Sequence, residues 1–285
     1  MARPPAGEGP PAPALVGSAT APPLRGGRFR VRLLGRPSVL RLAEDGSGEE
    51  VEWRLRRALL VFAFLASAPE LRAGKEELVE AVWPEADPDT VRRNFHPTLS
   101  WLRRALAPAA ERRRSGGVVV RHGLYQLDPA ARWEIDRLEF ERLLGAGGEA
   151  LTAGDSAAAI AAWEAAWRLY HGPFLEGLDA AWVEPLREEL QRRYLELLRR
   201  LAEVYADLGR LEEAVDACRS LLGRDPLQEG VHLTLIRLFA RQGRRDLVRR
   251  QYGLLTRTLA EELGVEPMLD TTLEYHRLMG QSGIA

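Results

Sequence analysis

The side chains best equipped for chemistry crowd into one stretch, residues 89–127, reading DTVRRNFHPTLSWLRRALAPAAERRRSGGVVVRHGLYQL. Between Val91 and His122 it holds eight arginines and a single acid, Glu111, a local charge of +7 in a chain whose net charge is −1. A guanidinium is always charged and presents its donors as a planar fork that fits phosphate oxygens or a guanine edge, and an asparagine amide fits an adenine edge. Arg93, Asn94, Ser100 and Arg104 are therefore the candidates for reading base edges in a major groove. Arg92, Arg103, Arg112, Arg113, Arg114, Arg121 and His122 are candidates for phosphate contacts, which position a protein without specifying sequence. A plainer reading competes, because the chain uses arginine almost exclusively: 39 arginines stand against one lysine, Lys75, so an arginine-rich face could be merely solvated. The lack of interleaved acids, abundant on other helical stretches of this chain, favours the phosphate reading.

These side chains need a rigid carrier, and the spacing supplies one. Val91, Phe95, Leu99, Leu102 and Leu106 recur at 4, 4, 3 and 4, one stripe of an α-helix that must face a core. Arg93, Pro97, Ser100 and Arg104 then lie on the opposite side, with Arg92, His96 and Arg103 on one shoulder and Asn94, Thr98 and Trp101 on the other. Asp87 and Asp89 around Pro88 give N-cap chemistry with proline just inside the start. Pro97 removes a backbone donor in mid-helix and is expected either to kink the helix or to move its regular start to about His96.

Before this helix, FRVRLLG, SVLRLA and VEW read as three short antiparallel strands around a turn-rich EDGSGEE. Residues 54–66 place Leu55, Leu59, Phe62 and Leu65 at helical spacing up to Pro69, and residues 74–83 form a second, short helix stopped by Pro84. After it, residues 118–121 and 124–127 flank His122 and Gly123 as a hairpin. A small antiparallel sheet, three helices and a hairpin make an α+β winged helix-turn-helix.

At 285 residues the chain has room for two domains. Residues 1–27 are rich in proline, alanine and glycine and have no compact apolar segment, so they read as a disordered tail and not a signal peptide. No apolar run approaches the ~20 residues of a membrane span. One cysteine, Cys218, excludes an internal disulfide and fits a reducing, cytoplasmic setting, at the nucleoid for a DNA-bound protein; it reads best as a small buried residue. The five histidines are scattered, and no metal site or cofactor is expected.

Residues 28–130 form the expected winged domain and residues 131–280 a second one, helical in pattern from Arg132 onward. Aligning Gly209 with Gly243 matches Leu201 to Leu235, Tyr205 to Phe239, Ala206 to Ala240, Arg210 to Arg244 and Leu221 to Leu255. The offset of 34 is the tetratricopeptide period, in which helix pairs stack on the next pair. A weaker copy sits at Gly154, where Ala159 and Trp163 stand for Ala214 and Cys218. Its longer spacing leaves an insertion around HGPFLEGLDAAWVEP, whose Phe174 and Trp182 read as core aromatics.

At these residues a family resemblance becomes specific. Trp83 with Pro84, the Leu102–Arg103–Arg104 triplet and Gly123 followed one place late by Tyr125 make residues 77–129 similar to OmpR-type effector domains, in the version carried by the Streptomyces antibiotic regulatory proteins. The 27 residues ahead are too few for a phosphoacceptor receiver. Asp225, Pro226, Glu229, His232, Gly243, Arg244, Tyr252, Leu259, Glu262, Leu263, Gly264, Pro267, Thr271 and Tyr275 resemble the bacterial transcriptional activator domain. The resemblance implies a transcriptional activator that binds promoter direct repeats in double-stranded DNA as a head-to-tail pair and contacts RNA polymerase holoenzyme. Two other readings compete. An enzyme would need a nucleophile, paired carboxylates or a phosphate-binding glycine loop, and none is legible. A tetratricopeptide scaffold for protein partners, without DNA reading, would explain residues 150–280 but leave the basic stretch without a purpose.

Overall fold

The computed structural model describes residues 27–43, 45–107 and 116–280. Its first strands are β1 (Arg28–Arg32), β2 (Ser38–Leu42) and β3 (Gly48–Glu50). The third strand was expected at VEW and lies just before it. Val51 donates to the Val39 carbonyl at 2.8 Å and then turns inward, while Trp53 packs on Phe62 with ring centroids 5.3 Å apart, so core packing ends the ladder there. Helix α1 (Arg56–Ser67) buries Ala58, Val61, Phe62 and Leu65; a 3-10 turn and the two-residue strand β4 (Arg72–Ala73) lead into α2 (Lys75–Val82).

Helix α3 (Pro88–Leu106) starts where the cap chemistry demands. The Asp87 carboxylate accepts from the Asp89 and Thr90 amides at 3.0 and 2.9 Å. The helix runs on through Pro97, and its start is not moved to His96, which was one of the two outcomes expected of that residue. The carbonyl that loses its partner is that of Arg93, four residues back, and both residues are on the exposed face where water can serve it. The buried face keeps its ladder, with Phe95, Leu99, Leu102 and Leu106 in the core.

The hairpin follows as β5 (Val118–Arg121) and β6 (Leu124–Leu127), with Arg121 opposite Leu124, so His122 and Gly123 alone make the turn. Both have positive φ, 50° and 79°, the geometry of a two-residue turn matched to strand twist. β4 pairs with β6, giving a second sheet of order β4-β6-β5.

The helical pattern expected from Arg132 onward is corrected at its start. Arg132–Ile135 form strand β7, which lies parallel to β1 in a four-stranded sheet of order β3-β2-β1-β7. The sheet expected to be purely antiparallel is therefore mixed. Four residues are too few to tell strand from helix by period, and the deciding partner lies about a hundred residues upstream. Trp133 stacks on Phe29 at 4.4 Å, which fixes the register from the core side.

Seven helices follow: α4 (Asp136–Thr152), α5 (Ser156–Leu169), α6 (Val183–Asp207), α7 (Leu211–Leu222), α8 (Glu229–Arg241), α9 (Arg245–Leu263) and α10 (Leu269–Leu278). They pack as the antiparallel pairs α4–α5, α6–α7 and α8–α9, with α10 against α8. The 34-residue offset is exact in structural role: Leu201 and Leu235, Tyr205 and Phe239, and Leu221 and Leu255 are all buried. The amides of Arg210 and Arg244 close the same turn on the Tyr205 and Phe239 carbonyls at 2.8 and 2.9 Å. Ala159 and Trp163 are buried like Ala214 and Cys218, so the weaker copy is a third pair. Burial pushes the Cys218 thiol up to about 12, leaving a small apolar residue with no reactive thiolate.

The inserted aromatics serve a larger purpose than local packing. The segment at 173–176 lies along 33–35 as a short antiparallel pairing, with bonds Gly35 N to Pro173 O, Leu175 N to Leu33 O and Glu176 N to Gly35 O between 2.8 and 3.1 Å. Phe174 is fully buried and Trp182 meets Phe64 of α1 edge-on at 5.2 Å. The winged part and the helical repeats are thus joined through main-chain bonds and a common core.

Candidate nucleic-acid interface

Along α3, Arg92, Arg93, His96, Pro97, Ser100, Trp101 and Arg104 are exposed, and on the wing Val120, Arg121, His122 and Gly123 are. Gly117 brings these two surfaces together. Its φ is +78°, and a Cβ there would come within 2.7 Å of two Leu106 side-chain atoms, so only glycine lets the wing strand start against the end of α3.

Of the four residues expected to read bases, Arg93, Ser100 and Arg104 share the exposed face. Arg93 reaches Thr90 Oγ1 at 3.4 Å, and the Arg104 guanidinium lies over the Trp101 ring at 5.6 Å. Asn94 is half-buried, and its amide donates to the Thr90 carbonyl at 2.8 Å, so that donor is already spent on the helix. Thr98, placed on an exposed shoulder by the helical wheel, is buried. The stripe facing the core is therefore wider than the five apolar positions.

Among the expected phosphate contacts, Arg92 is exposed beside Asp89 at 3.6 Å, and Arg121 and His122 are exposed at the hairpin tip. Arg103 is different: half-buried, it donates through Nε to the Val118 carbonyl at 3.1 Å and ties α3 to the wing. Arg112, Arg113 and Arg114 lie outside the described residues. Tyr125, one place late in the wing motif, is half-buried and packs edge-on against Phe95 at 5.4 Å. Hydrogen bonds from Thr90 hold the Asp87 carboxyl below its ordinary value, which keeps the one acidic end of α3 charged as its cap.

The electrostatics of this face differ from those of α6. On α6, Arg192, Arg193, Arg199 and Arg200 all pair with Glu189, Glu196 or Glu203, and these bonds pull Glu196 down to about 2. Among the described residues, Arg93, Arg104 and Arg121 have no carboxylate within ion-pair distance.

One residue of consequence escapes a sequence reading. Arg41 on β2 donates from Nη2 to the Ala105 and Ala107 carbonyls at 2.9 and 2.8 Å, and from Nε to Leu106 O at 3.4 Å, while Nη1 meets Glu49 at 2.6 Å. The available signals are indirect: a charge within the apolar strand SVLRLA, and a helix end with no glycine after Leu106 to cap it.

Among the described residues no His, Cys, Asp or Glu cluster could hold a metal ion, and no helix is long and apolar enough to cross a membrane. Three of the residues singled out in the second half have structural roles. The His232 ring sits between Pro226 O at 3.0 Å and Gln251 Nε2 at 2.7 Å, Glu229 accepts from the Met268 amide at 2.8 Å, and Gly264 is the left-handed end of α9.

Comparison with known proteins agrees with this anatomy. Residues 135–279 match the model of the bacterial transcriptional activator domain. The chain is 30% identical over 241 residues to the regulatory protein AfsR of Streptomyces coelicolor, covering 85% of this chain but 23% of AfsR. It is 28% identical over 227 residues to the transcriptional regulatory protein MoaR1 of Mycobacterium tuberculosis, covering 79% of this chain and 72% of that protein. A solved structure of Mycobacterium tuberculosis EmbR in complex with a low-affinity phosphopeptide superposes with a TM-score of 0.67 over 91% of this chain and 67% of that one; at 24% identity this is a likeness of fold. By their names, AfsR is a regulatory protein and MoaR1 and EmbR are transcriptional regulatory proteins. With more than half its length matched by that model and its winged half in place ahead of it, the chain belongs to the bacterial transcriptional activator domain family, in the arrangement of the Streptomyces antibiotic regulatory proteins.

Proposed function

We propose that the chain is a sequence-specific DNA-binding transcriptional activator, with α3 entering the major groove and the β5–β6 hairpin lying on the adjacent backbone. The observation that carries this reading is the cationic face of α3 continuing onto the wing, where Arg93, Arg104 and Arg121 have no carboxylate within ion-pair distance, whereas the arginines of α6 pair with glutamates. Arg93, Ser100 and Arg104 face the bases; Arg92, Arg121, His122 and the arginines at 112–114 hold phosphates. The helical repeats present the surface for RNA polymerase holoenzyme, and two copies occupy promoter direct repeats head to tail. Such a protein works in the cytoplasm, at the nucleoid.

The test is a mobility shift of the purified chain on the DNA upstream of its own gene, across a salt series. Affinity should fall steeply and linearly on logarithmic axes as salt rises. Binding to that DNA without salt dependence, or no binding at low salt, refutes the reading.

A further inference from the structure

We infer that Arg41 is a positioning residue for DNA reading: from the first sheet it fixes the last turn of α3, and with it the direction in which Arg104 points. The inference rests on the proposal that α3 reads DNA. A helix ends with carbonyls that have no partner within it, and they are commonly satisfied by a left-handed glycine turn. Here the chain leaves α3 through Ala107 in extended conformation, φ −72° and ψ 143°, so no such turn forms. The Ala107 amide serves the Arg103 carbonyl, which leaves the next ones open. Arg41, 64 residues earlier in the chain, takes the carbonyls of Ala105, Leu106 and Ala107 with one planar fork, and Glu49 on β3 holds the fork from behind. The Arg41 side chain is only 14% exposed, so it is spent inside the protein and is not a phosphate contact. A cation at this end also complements the helix dipole.

The same turn is also held by Arg103, through the Val118 carbonyl of the wing. Arg104 sits between these two anchors, exposed, with its guanidinium resting on Trp101. Bidentate recognition of a base edge tolerates little angular error, so a last turn free to fray would cost discrimination before it cost bulk affinity. A lysine at position 41 would keep the charge, but its single ammonium could not span three carbonyls in this geometry.

The experiment first selects a preferred duplex for the wild-type chain from a pool of random-sequence DNA. The affinity ratio between that duplex and the unselected pool is then measured at several salt concentrations for wild type, Arg41→Lys, Arg41→Met, Arg104→Ala and the Arg41→Met/Arg104→Ala double variant. Arg41→Met should lower the ratio about tenfold with the pool affinity and the salt slope unchanged, and Arg41→Lys should fall between it and wild type. Arg104→Ala should add little on the Arg41→Met background, because the two act through one contact. Circular dichroism checks folding, and Arg41→Lys carries the test should the methionine variant fail to fold. An unchanged ratio, an additive double variant, or a parallel loss on both DNAs with a salt slope reduced by about one unit would each overturn the positioning role. A wild-type chain that selects no preferred duplex would overturn the DNA-reading proposal itself.

Discussion

At the scale of single residues, what distinguishes a base reader from a phosphate holder is a rigid frame. Arg93 and Arg104 are eleven positions apart on one helix that Pro97 does not break, which puts them within about 20° of each other and about 16 Å apart along the axis. Both can follow one groove. Arg93→Ala and Arg104→Ala should each cost about 1–3 kcal/mol on a selected duplex and far less on random DNA. Arg121→Ala at the hairpin tip should weaken both DNAs alike and reduce the salt slope by about one unit. Competition binding with the two DNAs checks this, and equal behaviour of Arg104 and Arg121 would refute the division. The residue types at this face were readable from sequence, but their existing commitments were not. Asn94 spends its amide on a carbonyl four residues back, Arg103 spends its Nε on one fifteen residues ahead, and Arg41 serves carbonyls more than sixty residues away. Such bonds depend on which elements meet, and nothing in the local spacing of residues 89–127 encodes them.

Among elements, those whose signal is local were legible and those fixed by a distant partner were not. α3 could be placed from its apolar stripe and its Asp87 cap, because both act within a few turns. Leu99 and Leu102 are only 1% and 0% exposed, so replacing either with alanine should destabilise the chain by about 2–5 kcal/mol through the cavity left behind. Denaturant unfolding measures this; wild-type stability in both variants would mean the helical phase is wrong. β7 had no comparable local signal, since its pairing with β1 spans about a hundred residues. The α8–α9 pair adds a pH dependence of definite sign. Burial holds the His232 imidazole below its ordinary value, against the opposing pull of the Pro226 carbonyl and Glu229. Above about pH 6.5 the ring is neutral folded or unfolded and its contribution is complete; below that the unfolded chain takes up a proton that the folded one resists, so stability is lost. The slope from this one group is at most about 1.4 kcal/mol per pH unit. Urea unfolding at pH 7.5 and 5.5 should show a smaller acid loss in His232→Gln than in wild type, and parallel losses would refute the assignment.

For the whole molecule, the question is whether the DNA-binding half is separable from the helical half, as a boundary near residue 130 would have it. Hydrophobic period and the 34-residue repeat each describe one half and say nothing about the seam between them. The seam is extensive. β7 is the edge partner of β1, and its Trp133 stacks on Phe29 and leans on Phe62 at 5.9 Å. The Asp136 carboxylate, at the start of α4, accepts from the amides of Leu33 and Leu34 at 2.8 to 2.9 Å; burial raises its pKa against the pull of those bonds. Arg187 of α6 gathers the carbonyls of Phe174, Leu175 and Leu178, which holds the 173–176 segment against residues 33–35. A fragment of residues 28–130 loses all of these at once. It would expose Phe29 and Phe62 and leave the Leu33 and Leu34 amides without their acceptor, each such loss costing about 1–3 kcal/mol against a total stability of about 5–15. The fragment should therefore show no cooperative thermal transition by circular dichroism. A fragment of residues 27–207, which keeps β7, α4, the 173–176 segment and Arg187, should regain one. A 28–130 fragment that melts cooperatively at the midpoint of the full chain would mean that the shared sheet and the Asp136 bonds contribute little, and that α3 is oriented by the winged half alone.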